Sequence, residues 1–236
     1  MMKRRALLVA AAVAVVGCAA PPKKQAFNRE AAGGLKVVAV AQQPNQDSYE
    51  AAVIGHPGAS FGLIGGLIAA ADIAGKSSKL TAAISPSETK LQERFAQITG
   101  EKLKLAGYDV RTVPVAKDAT DTHLLDAARQ VPEVHAVLST QLIGAYWAAG
   151  PATPYVPRLV AKVRLLDAKS GSVLFEDLFT YGYTAPQIQS IHAAADARYS
   201  FKDIDSLIAD PGVTRQGLLD GVEAMATQIA ADLKRQ

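Results

Sequence analysis

A serine flanked by glycines is the first pattern in the sequence that could carry out catalysis. Gly58-Ala59-Ser60-Phe61-Gly62 has the GxSxG spacing, in which a sharp turn between a strand and a helix exposes the serine oxygen as a nucleophile. Asp177 and His192 follow in the order that such a hydrolase requires. Only two candidate strands precede Ser60, whereas the motif normally comes later in its sheet. A serine hydrolase is therefore an alternative function, and a Gly-rich turn is the simpler interpretation.

The histidines do not have the spacing of a metal site. His56, His123, His135 and His192 lie far apart in the chain, without a His-x-x-x-His pair, whereas zinc sites typically draw on closely spaced His and Cys ligands. We therefore expect no metal and no other cofactor, and the sequence assigns no catalytic residue.

The single cysteine, Cys18, lies where an export signal would end. Three basic residues precede the apolar run 6–16, which is too short for a membrane span of about 20 apolar residues. Val15-Val16-Gly17-Cys18 resembles the lipobox of bacterial lipoproteins. The resemblance implies cleavage between Gly17 and Cys18 and acylation of Cys18. Since Ala19 and not Asp follows, it also implies an outer-membrane anchor with the domain facing the periplasm. An ordinary secreted protein is the alternative.

Removal of the signal changes the charge of the chain. Residues 3–5 supply three of the 25 basic residues, so the 219 residues left of 236 after residues 1–17 are removed carry 22 basic and 22 acidic residues. A chain without net charge has no electrostatic footprint for nucleic acid. Its length is sufficient for one hydrophobic core, since domains above about 150 residues bury roughly 70% of their unfolded surface.

Apolar patterning predicts a tether over residues 18–34 and a single periplasmic domain over residues 35–236. Six strands are predicted, over residues 35–41, 49–55, 108–115, 136–145, 158–166 and 173–181. Helices are predicted after a capping box at Ser85 and Glu88, within 118–131, and from Pro211 onward. The apolar run 61–71 is predicted to be a core helix or a re-entrant segment, because it is too short for a membrane span. This order predicts the α/β (α+β) class, with a mixed sheet of about five to six strands and packed helices.

Two of the predicted helices have an apolar stripe. Leu91, Phe95, Ile98 and Leu105 fall on one face of the helix after Ser85. In the last helix the stripe consists of Leu218, Val222, Ile229 and Leu233. We expect both stripes to pack against the sheet.

The predicted hairpin carries a family resemblance. Arg158–Glu176, with the sequence RLVAKVRLLDAKSGSVLFE, resembles the strand-turn-strand unit of the TolB amino-terminal domain and of curli-secretion-type lipoproteins. The matching residues are Asp167, Ser170, Gly171, Phe175 and Glu176. The resemblance implies a periplasmic adaptor or assembly component and no enzymatic activity.

Two stretches could contact a partner. Gly62 and Gly66 have the spacing that lets helices approach closely, and packing within the chain is favoured over contact with another subunit or the membrane. Tyr146, Trp147 and Tyr155 lie among glycines and prolines, and Trp147 is the only tryptophan. Aromatic residues in a loop favour an interface, so these three predict an interaction surface, unless they only cover the end of the core.

Together these features predict a lipid-anchored envelope lipoprotein that acts as a non-catalytic binding or assembly component. Its expected contacts are the membrane, through Cys18, and an envelope protein or a second copy of itself. The alternatives are the hydrolase using Ser60 and a homo-oligomeric subunit of a secretion system or channel.

Overall fold

A computed structural model describes residues 24–30, 32–57 and 62–234, apart from the side chains of residues 62, 63 and 65. Gly17, Cys18 and Ser60 lie outside the described residues. The lipid anchor, the signal cleavage and the serine nucleophile therefore stay predictions.

A mixed seven-stranded sheet with packed helices confirms the predicted fold class. The strands are β1 (Val37–Gln42), β2 (Glu50–Val53), β3 (Asp109–Pro114), β4 (Ala136–Ala148), β5 (Tyr155–Asp167), β6 (Val173–Gly182) and β7 (Ile191–Ala193). The helices are α1 (Gly62–Ala83), α2 (Pro86–Thr89), α3 (Leu91–Leu105), α4 (Asp121–Arg129), α5 (Ile204–Ala209) and α6 (Pro211–Asp232). The short strand β7 and the helix α5 lie between the last predicted strand and the last predicted helix.

The strand order is β3-β1-β4-β5-β6-β7, and β2 pairs with the second half of β4. The strands β3, β1 and β4 run parallel, whereas β4, β5 and β6 are antiparallel. The long strand β4 therefore carries β1 on its first half and β2 on its second half, along the same edge. Its other edge pairs over its full length with β5.

The two faces of the sheet are covered to different extents. On the first face, the main core includes Leu80 from α1, Phe95 from α3 and Val222 from α6. On the second face, α4 covers β1, β3, the beginning of β4 and the end of β5, through Leu124 and Ala128. The far half of the second face has no helix over it among the described residues.

The break between α2 and α3 corrects the predicted capping box. Ser85 makes no capping hydrogen bond, and its hydroxyl instead contacts that of Ser87 at 2.9 Å. Lys90 has a left-handed backbone conformation with φ of 49°, which ends α2 and starts a separate helix. Leu91 and Phe95 are buried as predicted, whereas Leu105, the last residue of α3, is 85% exposed.

The last helix, α6, approaches the sheet closely at two glycines. A Cβ atom on Gly217 would lie 2.4 Å from the hydroxyl oxygen of Tyr146, and one on Gly221 would lie 2.4 Å from side-chain carbons of Leu159 and Tyr181. The predicted stripe of α6 is buried, and its members are Leu218, Val222, Ile229 and Leu233. The spacing of four residues between the glycines keeps both on the face that meets the sheet.

Hydroxyl side chains of α1 satisfy the outer edge of β2. The backbone N–H of Tyr49 donates to the Thr81 hydroxyl at 2.9 Å, and that of Ala51 donates to the Ser77 hydroxyl at 3.0 Å. Since the order is reversed along the two elements, α1 runs antiparallel to β2. Among the described residues no helix has the length and hydropathy of a membrane span.

A glutamine side chain fills the gap between β1 and β2 along β4. The Gln46 amide accepts from the Gly144 N–H at 3.0 Å and donates to the Gly144 carbonyl at 3.0 Å, as a neighbouring strand would. The buried Gln92 amide holds it in place by donating to the Gln46 side-chain oxygen at 3.2 Å. This arrangement forms the floor of a cleft of about 300 Å³.

The described part of the predicted tether contacts the sheet. Gln25 forms an antiparallel bridge with Glu176 of β6, and the Lys24 ammonium lies 3.5 Å from the Asp177 carboxylate. Arg29 donates to the carbonyl of Lys234 at 3.2 Å. The packed part of the chain therefore extends to Lys24, upstream of the boundary at residue 35 that the sequence analysis expected.

The turn of the β5–β6 hairpin is closed by Asp167. Its carboxylate accepts from the backbone N–H of Lys169 at 3.0 Å and of Ser170 at 2.6 Å, and from the Ser170 hydroxyl at 2.8 Å. Gly171 adopts φ of 74°, which glycine tolerates. A register shift beside Leu166 turns Val173 to the second face, whereas Phe175 lies on the first.

The substitution Asp167→Asn is expected to lower the free energy of unfolding at neutral pH by about 1 kcal/mol, because charge-assisted hydrogen bonds become neutral ones. The hydrogen bonds from Ser170 hold the pKa of the Asp167 carboxyl below its ordinary value. Its contribution is therefore present above the unfolded pKa of about 3.9 and is lost as the pH falls through the lower folded pKa. Urea unfolding at pH 7 and near pH 3 measures this.

The difference between wild type and Asp167→Asn should shrink on acidification. Asp118→Asn is the control, because Asp118 is an exposed loop residue without a hydrogen bond among the described residues. An equal difference at both pH values would contradict the assigned role of the Asp167 charge.

Candidate interaction surface

Two of the three aromatic residues predicted to form an interaction surface are buried. Tyr146 is fully buried on the first face, where its hydroxyl donates to the Thr214 carbonyl at 2.7 Å and its ring packs edge-on against Phe201. Burial also raises the pKa of Tyr146. Tyr155 is 4% exposed. The expectation of a surface is therefore wrong for these two side chains, because β4 and β5 extend to them and turn them into the core.

Trp147 lies on the second face and is half-buried. The guanidinium carbon of Arg158 is 3.9 Å from the centre of the Trp147 ring, and the Tyr183 ring lies 5.7 Å away. The indole N–H is buried and has no hydrogen-bond partner among the described residues. Trp147 therefore occupies a stacked cluster at the end of the sheet where β4 ends and β5 begins.

Arg158 is a half-buried cation without an ion pair in the described part of the chain. Burial lowers the pKa of its guanidinium, and the Glu50 carboxylate partly offsets this. Glu50 and Arg158 pair with Ala145 from opposite sides, so they lie in one row of the sheet, but not within ion-pair distance. A stacked guanidinium keeps its hydrogen-bond donors available to a carboxylate or an aromatic group of a partner.

Apolar side chains continue this cluster along the uncovered half of the second face. Ile143 is 62% exposed. In the register of the sheet it lies beside Val160 of β5, which is half-buried. We define the Trp147 face as the outward side chains of Ile143, Trp147, Val156, Arg158, Val160 and Leu178. An exposed apolar group with an aromatic residue and an arginine has the composition of an interface core.

A closed ion-pair network separates the Trp147 face from the part that α4 covers. The Glu176 carboxylate, which is buried, lies 3.1 Å from both Lys162 and Arg164. Arg164 also makes a bidentate contact with Asp121 at the start of α4. Because these charges are paired with one another, the network serves to hold β5, β6 and α4 together.

The residues considered as partners of Ser60 do not come together. Asp177 lies between Phe175 and Phe179 on the first face, where it pairs with Lys24. His192 lies on the other face, where its ring nitrogen is 3.1 Å from the Thr180 hydroxyl. The structure therefore does not form an acid–histidine pair from Asp177 and His192.

The glycine pair predicted to pack closely lies at an exposed helix end. A Cβ atom on Gly66 would meet no atom within 4 Å, so no part of the described chain packs on it. The neighbouring Ile64, Leu67 and Ile68 are 74%, 64% and 60% exposed. The side chain of position 62 is not described. We define the apolar overhang as Ile64, Gly66, Leu67 and Ile68; its exposure corrects the expectation of packing within the chain at Gly66.

Within residues 24–30, 32–57 and 62–234, no three His, Cys, Asp or Glu side chains converge as metal ligands would. The four histidines, His56, His123, His135 and His192, belong to different parts of the fold. His56 lies 3.5 Å from Asp72 of α1, and His123 belongs to the capping interaction that begins α4.

Arg158 and Val160 were not predicted from the sequence as part of the interaction surface. The regular alternation of β5 carried the signal, since Leu159, Ala161 and Val163 are fully buried and the residues between them must face the other side. The alternation does not indicate which face of the sheet has no helix packed on it, because that depends on where the short helix α4 lies.

No protein-family model matches the chain, and no curated protein matches it. A solved structure of a PelC dodecamer from Paraburkholderia phytofirmans is similar, with 14% identity, a TM-score of 0.41, and coverage of 91% of this chain and 97% of that chain. A neuraminyllactose-binding hemagglutinin homolog from Helicobacter pylori has 10% identity, a TM-score of 0.37 and 89% coverage of each chain. Protein XCC0632 from Xanthomonas campestris has 10% identity and a TM-score of 0.37, over 89% of this chain and 91% of that chain.

Proposed function

We propose that this chain is an outer-membrane lipoprotein, anchored through acylated Cys18, whose periplasmic domain is a non-catalytic assembly component. The Trp147 face is its contact surface for an envelope protein or a second copy. The observation that supports this best is the half-covered second face of the sheet, where Ile143 is 62% exposed beside the unpaired, stacked Arg158.

The arrangement of the Trp147 face favours binding over catalysis. Its polar groups are one guanidinium and one indole N–H, and neither is a nucleophile or a general base at neutral pH. Its apolar groups are fixed on the central strands of the sheet, so a partner would meet a preformed surface. Burial of Ile143 in such a contact would contribute about 1–2 kcal/mol, and carboxylate pairing with Arg158 would add specificity.

Photo-crosslinking in intact cells tests this proposal. We expect benzoylphenylalanine at position 143 of the full chain to form a covalent adduct with one main partner, identified by mass spectrometry. The substitution Val160→Asp beside it should remove most of that adduct, because it places an unpaired charge in the contact.

Position 105 provides the matched control, since Leu105 is 85% exposed but lies on α3, away from the Trp147 face. An adduct that contains two copies of the chain would identify self-association, and one with a foreign envelope protein would identify an adaptor. Equal adduct yields from positions 143 and 105, or none from position 143, would refute the Trp147 face as the contact surface.

A further inference from the structure

We propose that the apolar overhang inserts into the same membrane leaflet that holds the Cys18 acyl chains, so that the domain has a second, non-covalent membrane contact. This inference rests on the lipid anchor of the proposed function. It assigns a lipid surface as the partner of a helix end that the chain itself does not cover.

The apolar overhang extends beyond the end of the sheet. Because α1 runs antiparallel to β2, with Ser77 level with Ala51, the helix continues past the last residue of β2, Val53. Ile68 precedes Ser77 by nine residues, about 14 Å at 1.5 Å per residue, whereas Val53 is only about 7 Å beyond Ala51. The apolar overhang therefore lies past the edge that β2 and the end of β4 form.

The composition of this helix end fits a lipid surface. None of the first ten residues of α1 is charged, and the first acidic side chain, Asp72, is paired with Lys76 at 2.6 Å. Ile64, Leu67 and Ile68 are all more than half exposed. Apolar helix surface of this kind inserts into the boundary between headgroups and acyl chains.

The direction of the chain places the anchor at the same end of the domain. Gln25 pairs antiparallel with Glu176, and Lys24 reaches Asp177. Followed from Gln25 back to Lys24, the described chain therefore runs toward Gly182, the end of β6 that lies level with the ends of β2 and β4. This is the end from which the apolar overhang extends.

The length of the remaining chain agrees with this placement. Six residues separate Cys18 from Lys24, which allows a reach of about 20 Å. Glu176 is six residues before Gly182, also about 20 Å along an extended strand. The acylated residue can therefore reach the level of the strand ends, where the membrane surface would meet the apolar overhang.

Fluorescent labelling of the lipidated full chain tests this inference. Since Cys18 is the only cysteine and acylation consumes its thiol, the substitution Leu67→Cys creates a single free thiol. We expect a nitrobenzoxadiazole label at position 67 to shift to shorter wavelength in phosphatidylethanolamine–phosphatidylglycerol vesicles, and to be quenched by nitroxide-bearing lipids. The same label at position 105, in Leu105→Cys, should show neither change. Both positions are exposed, so both variants should fold, which circular dichroism checks.

The outcomes separate the two proposals. Vesicle-bound protein with an unquenched label at position 67 would overturn the insertion and leave the lipid anchor standing. A shift at position 67 without nitroxide quenching would also overturn it, because the apolar overhang would then contact protein. If neither labelled variant bound vesicles, while Cys18→Ser behaved identically, the anchor itself and the insertion would both be refuted.

Discussion

Replacing Gly221 by alanine is expected to lower the free energy of unfolding by about 1–3 kcal/mol, the usual range for overpacking a well-packed core. The new methyl group would lie 2.4 Å from side-chain carbons of Leu159 and Tyr181, which are buried and cannot move aside freely. Alanine favours the helix by about 1 kcal/mol over glycine, but this gain is smaller than the cost of the clash. Thermal unfolding should show a midpoint lower by about 2–4 °C for each kcal/mol lost.

The matched control for Gly221→Ala is the same substitution at Gly66. A methyl group there meets no atom of the described chain within 4 Å, so only the helix preference remains. Gly66→Ala should therefore raise the free energy of unfolding by up to about 1 kcal/mol. A similar change at both positions would show that α6 does not need to approach the sheet as closely as it does in the structure.

Replacing Gln46 by alanine is expected to cost about 2–4 kcal/mol of unfolding free energy. The substitution leaves both backbone groups of Gly144 without their partner, and each buried unsatisfied group costs about 1–3 kcal/mol. The Gln92 amide loses one hydrogen bond but keeps the one to the Leu142 carbonyl at 3.3 Å. The total stays below the sum of these costs because water can enter from the adjoining cleft. Urea unfolding measures the loss, and faster hydrogen exchange at the Gly144 N–H would locate it.

The matched control for Gln46→Ala is Gln97→Ala. The Gln97 amide makes only one exposed hydrogen bond, to Glu101 of its own helix, so its loss should cost less than about 0.5 kcal/mol. Equal costs for the two alanine substitutions, or unchanged exchange at Gly144, would argue that the Gln46 side chain does not substitute for a strand.

Sequence patterns were sufficient where a structure depends on neighbours along the chain. The β5–β6 hairpin and the buried stripe of α6 follow from alternation and helical periodicity, and both were predicted. The capping box at Ser85 failed because the Ser85 hydroxyl contacts that of Ser87 and no backbone N–H, and the helix that starts there ends four residues after Pro86 at the left-handed Lys90. No local rule for helix starts contains that information.

The candidate surface depended on contacts between distant segments. Tyr146 and Tyr155 look like loop residues in the sequence, but pairing of β4 with β2 and β5 extends both strands and buries them. The two glycine pairs, Gly62–Gly66 and Gly217–Gly221, have the same spacing. The second meets the sheet at α6, whereas Gly66 in the first faces open space, because spacing indicates where a helix could be approached and not what approaches it.

The hydroxyl groups that α1 presents to β2 also limit how copies of the protein can aggregate. An edge strand with unpaired N–H groups can recruit a strand of another chain, but Ser77 and Thr81 already accept two of those N–H groups. On the same side of the sheet, the other edge strand, β3, carries an Asp109–Arg111 pair and ends at Pro114, features that disfavour strand addition. Copies that the proposed lipid anchor would crowd together on a membrane are therefore expected to meet through the faces of their sheets and not by strand addition at β2 or β3.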